Sequence, residues 1–177
     1  MTPKHLLLTG YRGCGKSAVG RRLAESLAYG FVDTDVEIEA SSERSIAELF
    51  ADVGQEGFRN LESIQISNLF ARNEPAVISL GGGAILRPGN RECIRKLGKT
   101  VWLQAEPQTI FDRISKDATT QARRPKLSKL GDMDEIRSIL ESRIPWYKEV
   151  ANFSIPTDGQ SLENLVDSIL YWFSNAS

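Results

Sequence analysis

Gly10-Tyr11-Arg12-Gly13-Cys14-Gly15-Lys16-Ser17 reads G-x-x-x-x-G-K-S and stands between an apolar run, Leu6-Leu7-Leu8, and a stretch in which Val19, Leu23, Ala24 and Leu27 fall on one helical face. A loop of this form between a strand and a helix is a phosphate-binding loop. Its glycines let successive backbone N–H groups turn inward toward phosphate oxygens, where the positive end of the following helix adds to them. Lys16 then reaches the outer phosphates as a point charge, and the Ser17 hydroxyl is suited to the magnesium that accompanies a nucleoside triphosphate. The competing reading, a glycine-rich turn that only caps a helix, would not require Lys16 and Ser17 together with both flanking elements.

Working outward, five short apolar or β-branched runs alternate with helical patterns, which is the signature of an α/β domain with a mostly parallel sheet. Strands are expected near His5–Thr9, Gly30–Val32, Ala76–Leu80, Thr100–Gln104 and Asn152–Pro156. Helices are expected over Lys16–Ala28, Val36–Ala40, Ser45–Val53, Gln55–Arg72, Pro88–Leu97, Pro107–Lys116, Asp132–Val150 and Leu162–Ser174. Ser45-Ile46-Ala47-Glu48 has the form of a capping box, and Pro107 suits a first helical turn. Two insertions interrupt the alternation: about 34–62, expected to stand over the strand ends where ligands bind in open α/β sheets, and about 115–131, rich in charge and expected to act as a lid. The whole chain, 1–177, reads as a single domain.

The 177 residues carry 22 basic and 23 acidic side chains, a formal charge of −1, so no bulk attraction to nucleic acid or membrane is expected. Cys14 and Cys93 form neither a disulfide framework nor a metal-ligand spacing. The chain passes from Met1 almost directly into a strand, and no apolar run approaches the roughly 18 residues of a membrane span, so a cytoplasmic protein without a signal peptide is expected. The single histidine, His5, is expected to be a partly buried or edge residue, which leaves little room for a histidine-based mechanism.

A phosphate loop needs a carboxylate nearby for the metal. Neither the third nor the fourth apolar strand ends on an Asp, whereas the second ends Asp33-Thr34-Asp35. Strand alternation would place Asp33 and Asp35 on one side, one for magnesium and one for a substrate hydroxyl; a surface turn with a helix N-cap would use the same residues. Gly81-Gly82-Gly83 after an apolar strand argues that something approaches the backbone closely. Arg59, Arg124 and Arg143 stand out because the planar guanidinium fork grips carboxylate or phosphate bidentately. Arg124, within the expected lid, could close over a transferring phosphoryl group.

From about residue 4 to about residue 160 these motifs, in this order, resemble the shikimate kinases. They are Gly10 to Ser17, Phe31-Val32-Asp33-Thr34-Asp35, Ser45-Ile46-Ala47-Glu48-Leu49-Phe50, Phe58-Arg59-Asn60-Leu61-Glu62, Leu80-Gly81-Gly82-Gly83-Ala84, Arg124-Pro125 and Arg143-x-Pro-x-Tyr147. The resemblance implies the three-layer fold of the nucleoside monophosphate kinases, with a five-stranded parallel sheet in the order 2-3-1-4-5. It also implies magnesium-dependent transfer of the γ-phosphate of ATP to the 3-hydroxyl of shikimate by a monomeric enzyme.

By the same resemblance the nucleotide falls to Gly13, Cys14, Gly15, Lys16, Ser17 and Ala18. Arg113 and the Ile155–Gln160 stretch, with Gln160, match the places that enclose adenine, and Arg124 matches the lid arginine on the phosphates. Ser17 binds magnesium directly and Asp33 holds it through water. Asp35 contacts the ring hydroxyls and is the candidate base; Arg59 and Arg143 grip the carboxylate, and Gly82 and Gly83 present N–H groups to the substrate. Lys16, Asp35 and Arg124 are thus the implied catalytic residues. The chain departs from the family in the lid, where Arg-Pro-Lys-Leu places Lys126 near the phosphates, and at Gly54-Gln55-Glu56-Gly57. Cys14, at a helix N-terminus beside Lys16, is a candidate for oxidation that blocks nucleotide binding. A kinase of another small hydroxy acid such as gluconate, or a kinase-like protein without turnover, are the alternatives.

Overall fold

The structure is a computed structural model, and it describes residues 5–116 and 132–176. The Leu6-Leu7-Leu8 run forms β1 (His5–Thr9), every residue of which is buried. That burial on both sides is what a central parallel strand requires: Leu6 and Leu8 enter one core, Leu7 the other. The elements that follow are α1 (Lys16–Leu27), β2 (Gly30–Asp33), α2 (Thr34–Ser42), α3 (Ile46–Asn68), β3 (Ala76–Ser79), α4 (Pro88–Leu97), β4 (Gly98–Gln104), α5 (Pro107–Lys116), α6 (Asp132–Val150), β5 (Phe153–Pro156) and α7 (Leu162–Asn175). The strands form one sheet in the order β2-β3-β1-β4-β5, every pairing parallel, as the resemblance implied. Leu7 pairs with Ile78 on one side and Thr100 on the other.

Helices cover both faces. One core joins Leu6, Leu8, Val19, Leu23, Val101 and Ile169, so α1 and α7 lie on that face. The other joins Leu7, Ile66, Ile78, Ile94, Trp102 and Tyr147, which brings in α3, α4 and α6. A third, smaller cluster of Ile38, Ile46, Leu49 and Phe58 gives the α2–α3 insertion its own apolar seat, with Phe50 stacked on Phe58 at 4.5 Å.

Several expectations need adjustment. His5 lies on the central strand and is only 3% exposed, so it is neither an edge nor a partly buried residue. The helices expected over Ser45–Val53 and Gln55–Arg72 run as one element broken at Gly54, whose φ of 69° leaves the helical region, and the second ends in a 3-10 turn at Leu69–Ala71. Asp35 belongs to α2 rather than to an extended strand, so alternation along a strand does not govern its direction. The Ser45–Glu48 capping box is formed, and Pro107 opens α5. Most of the expected lid, including Arg124 and Lys126, lies outside the described residues.

Candidate active site

The carboxyl ends of the central strands face a cavity of about 340 Å³, within the range of small-molecule sites. The phosphate loop forms one wall. Gly15 sits at the N-cap of α1 with φ of 98°, a left-handed conformation that glycine adopts without strain. Within the loop, the Cys14 amide donates to the Tyr11 carbonyl at 3.2 Å. Lys16 Nζ donates to the carbonyls of Gly10 at 2.8 Å and Tyr11 at 3.1 Å, which folds the cation against its own loop. Gly13, Gly15, Lys16, Ser17 and Ala18 all line the cavity. Cys14 instead packs in the core and is 1% exposed; burial closes the sulfur to oxidants and favours an ordinary small loop residue over a redox-sensitive one.

The end of β2 forms the second wall. Ser17 Oγ donates to Asp33 Oδ2 at 2.7 Å, while Asp33 Oδ1 accepts from the Asp35 amide at 3.1 Å. Asp33 therefore caps α2 and faces the phosphate loop at once, and the two sequence readings of Asp33-Thr34-Asp35 are compatible. Asp35 lines the same cavity. Thr34 between them is buried, and its Oγ1 accepts from the Gly81 amide at 2.8 Å, tying the β2 end to the glycine turn.

The glycine turn carries the arginines. A side chain at Gly83 would place its Cβ 1.9 Å from Arg59 Nη1, so the guanidinium occupies the space that only glycine leaves. Arg59 is 6% exposed and paired with Glu62 one helical turn further on, which is 3% exposed. An ion pair this deeply buried is held only by good geometry, since removing one partner leaves a charge without solvation. Arg143, on α6, donates to the Gly82 carbonyl at 3.0 Å and lies over the Tyr11 ring at 5.7 Å. The turn thus brings arginines from α3 and α6 together behind a wall containing Gly82. Tyr147, one turn beyond Arg143, is fully buried and stacked on Trp102 at 5.3 Å; burial pushes its phenol up, and its role is to seat α6.

Arg113 lies across the loop, donating to the Gly13 carbonyl and to Thr157 Oγ1 at 3.3 and 3.0 Å. Gln160 Nε2 donates to the Pro156 carbonyl at 2.6 Å and does not line the cavity. Sequence reasoning passed over Arg12, Ile46 and Ser79, which also line the cavity, and Glu62. The i,i+3 spacing of Arg59 and Glu62 within a quoted motif was the signal for the last of these; Ile46 and Ser79 carry none, because apolar and hydroxyl residues at element ends are common.

A parallel sheet in this order, with a phosphate loop between its central strand and first helix, defines a P-loop kinase of the nucleoside monophosphate kinase type. The family model for shikimate kinase matches residues 12–174. The shikimate kinase of Rhodopirellula baltica is 42% identical over 168 residues, covering 95% of this chain and 89% of its own length. That of Symbiobacterium thermophilum is 42% identical over 166 residues, covering 94% of each chain. The structure of the Acinetobacter baumannii shikimate kinase in complex with shikimate superposes with a TM-score of 0.90 at 34% identity, covering 99% of this chain and 96% of that one. The chain belongs to the shikimate kinase family.

Proposed function

We propose that this protein transfers the γ-phosphoryl group of ATP to the 3-hydroxyl of shikimate, giving shikimate 3-phosphate and ADP. One observation carries the reading: the phosphate loop, the Asp33 and Asp35 pair and the glycine turn backed by Arg59 and Arg143 converge at one cavity, in a chain of the shikimate kinase family.

The loop amides and Lys16 hold the β- and γ-phosphates, whose oxygens replace the Gly10 and Tyr11 carbonyls as acceptors for Nζ. Ser17 and Asp33 offer a hydroxyl and a carboxylate side by side, the hard oxygen donors that suit magnesium. Magnesium held by them would supply neutralisation of the nucleotide's phosphate charge. Arg113 and the turn ending at Gln160 flank the nucleotide on the far side of the loop.

The acceptor is recognised by its charge and its hydroxyls. Arg59, steadied by Glu62, and Arg143, steadied by the Gly82 carbonyl, grip the carboxylate, and the Gly82 and Gly83 amides add donors. Asp35 accepts from the ring hydroxyls and takes the proton of the attacking one, which sets the nucleophile in line with the γ-phosphorus. By the family resemblance Arg124, which lies outside the described residues, is the cation that would stabilise charge on the transferring group. The enzyme acts as a monomer in the cytoplasm; among the described residues no helix is long and apolar enough to cross a membrane.

Arginines that grip a carboxylate would serve gluconate as well, so it is membership of the shikimate kinase family that favours the cyclic acid, and a protein without turnover would not need Lys16, Ser17, Asp33 and Asp35 in one cavity. Lys16→Met tests the site: phosphoryl transfer falls by about a thousandfold or more while the circular dichroism and melting temperature stay unchanged. Turnover near that of the unaltered enzyme would displace the loop from the mechanism.

A further inference from the structure

The glycine turn runs on into Ala84, Ile85 and Leu86, and the two arginines that follow, Arg87 and Arg91, take no part in the steps above. Arg91 is 8% exposed and fixes the turn to α6. Its Nη1 donates to the carbonyls of Ile85 and Leu86 at 2.9 and 3.1 Å, its Nε donates to Glu149 at 2.6 Å, and its guanidinium lies over the Trp146 ring at 5.5 Å. With Ala84 and Ile85 buried in the same core as Tyr147, the turn and the helix that carries Arg143 are held to each other.

The helix that carries Arg59 is seated differently. It is broken at Gly54; Ile46, Leu49 and Phe58 pack in the small cluster of the insertion, and α3 joins the core beneath the sheet at Ile66. Arg87 bridges the stretch between. Its Nη1 donates to Asn60 Oδ1 at 2.8 Å and to Ser63 Oγ at 3.2 Å, while Nη2 donates to the Glu56 carbonyl at 3.5 Å and pairs with the Glu56 carboxylate. Residues 56, 60 and 63 form one stripe of α3, and Ser63 Oγ donates in turn to the Arg59 carbonyl at 3.0 Å. Arg87 also stands at the N-cap of α4 without capping it, a position where Ser, Thr, Asp or Asn would stabilise the helix. Glu56 is exposed, so the ion pair alone contributes little. What the guanidinium supplies is a planar fork that reaches three residues of one stripe, which an ammonium cannot do.

We propose that Arg87 is a positioning residue for the acceptor: by clasping α3 at Glu56, Asn60 and Ser63 it sets where the Arg59 guanidinium stands against Gly83, and with it the spacing between Arg59 and Arg143. Two forks closing on one carboxylate tolerate little displacement, so a loosened α3 weakens the acceptor grip and leaves the phosphate loop as it is. The proposal rests on the reading of Arg59 and Arg143 as the carboxylate grip.

Steady-state kinetics of the full chain, with shikimate and ATP varied separately, test it. Arg87→Ala should raise the KM for shikimate about five- to tenfold and leave the KM for ATP within about twofold. Arg87→Lys, which keeps the charge without the fork, should stay within about twofold of Arg87→Ala. Glu56→Gln should stay within about twofold of the unaltered enzyme. Asn60→Ala should raise the KM for shikimate, and adding it to Arg87→Ala should raise that KM no further. A loss of folded enzyme lowers the apparent kcat and leaves both KM values in place, so the split between them separates positioning from support of the fold. Amide exchange over residues 55–63, which needs no turnover, should quicken about fivefold or more in Arg87→Ala. An unchanged KM for shikimate, equal rises for both substrates, or unchanged exchange overturns the proposal. So does full recovery in Arg87→Lys or an equal rise in Glu56→Gln, either of which would make the effect one of charge alone. Failure of the kinase reading shows separately, as no turnover of shikimate by the unaltered enzyme.

Discussion

Ser17 Oγ donates a 2.7 Å hydrogen bond to Asp33 Oδ2, joining the first turn of α1 to the end of β2. The contact is possible because β1 and β2 both run parallel to β3 and deliver their carboxyl ends to the same rim. Asp33 has two tasks, since its other oxygen caps α2. Substitutions can separate them. Asp33→Asn keeps an acceptor for the cap, so the magnesium concentration for half-maximal activity should rise by about 10- to 100-fold with little change in melting temperature. Asp33→Ala should show the same magnesium effect and in addition lose about 1 kcal/mol of stability. Magnesium titrations of activity beside thermal melts check both; equal magnesium requirements in Asp33→Asn and the unaltered enzyme would remove Asp33 from the metal.

The shikimate kinase motifs made the phosphate loop, the strand order and the residues of the glycine turn legible before any coordinates. The loop could be read because its chemistry demands fixed types at fixed spacing, and the strands because central parallel strands are apolar throughout, as Leu6-Leu7-Leu8 is. His5 was misplaced because a lone polar residue at a strand start looks the same whether the strand is central or at an edge. Glu62 was passed over because the burial that makes it matter, 3% exposure beside Arg59, arises from tertiary packing. Thr34 holding the Gly81 amide joins residues far apart in sequence, and no local pattern announces such a bond.

Arg59 and Arg143 should govern the acceptor and not the nucleotide. Arg143→Ala removes a charge-assisted contact, and the KM for shikimate should rise by about 10- to 100-fold with the KM for ATP within about twofold. Arg59→Ala should do the same and also destabilise the fold by about 3–5 kcal/mol, because the buried Glu62 carboxylate loses the cation beside it. Arg59→Ala with Glu62→Gln should recover much of that stability without recovering KM. Gly83→Ala, whose Cβ would stand 1.9 Å from Arg59 Nη1, should mimic Arg59→Ala in KM because the guanidinium must move. Parallel increases in both KM values would mean that these residues shape the fold and not the acceptor site.

His5 links stability to pH. Burial and the nearby Arg72 charge lower its pKa from the ordinary 6.5, and the Ala76 amide, which donates to Nδ1 at 3.2 Å, needs the lone pair of the neutral ring. Above 6.5 the ring is neutral in folded and unfolded chains alike, and its contribution is complete. As pH falls below that value the unfolded chain takes up a proton that the folded one refuses, so stability declines through the window between 6.5 and the lower folded pKa. His5→Asn keeps an acceptor near the Ala76 amide and cannot titrate. Between about pH 7.5 and about pH 5.5 the melting temperature should fall further for the unaltered protein than for His5→Asn. Superimposable pH profiles would show that His5 is not the group responsible.

The central claim is the choice of acceptor by the arginines and the glycine turn. It is tested most directly by coupled ADP release with magnesium and ATP, offering shikimate, gluconate and nucleoside monophosphates in parallel. The arrangement predicts rapid, saturable turnover with shikimate and rates at least about a thousandfold lower in kcat/KM with the others, since neither supplies a rigid ring carboxylate with hydroxyls facing Asp35. Faster turnover on gluconate or a nucleoside monophosphate, or ATP binding with no turnover on shikimate, would contradict it.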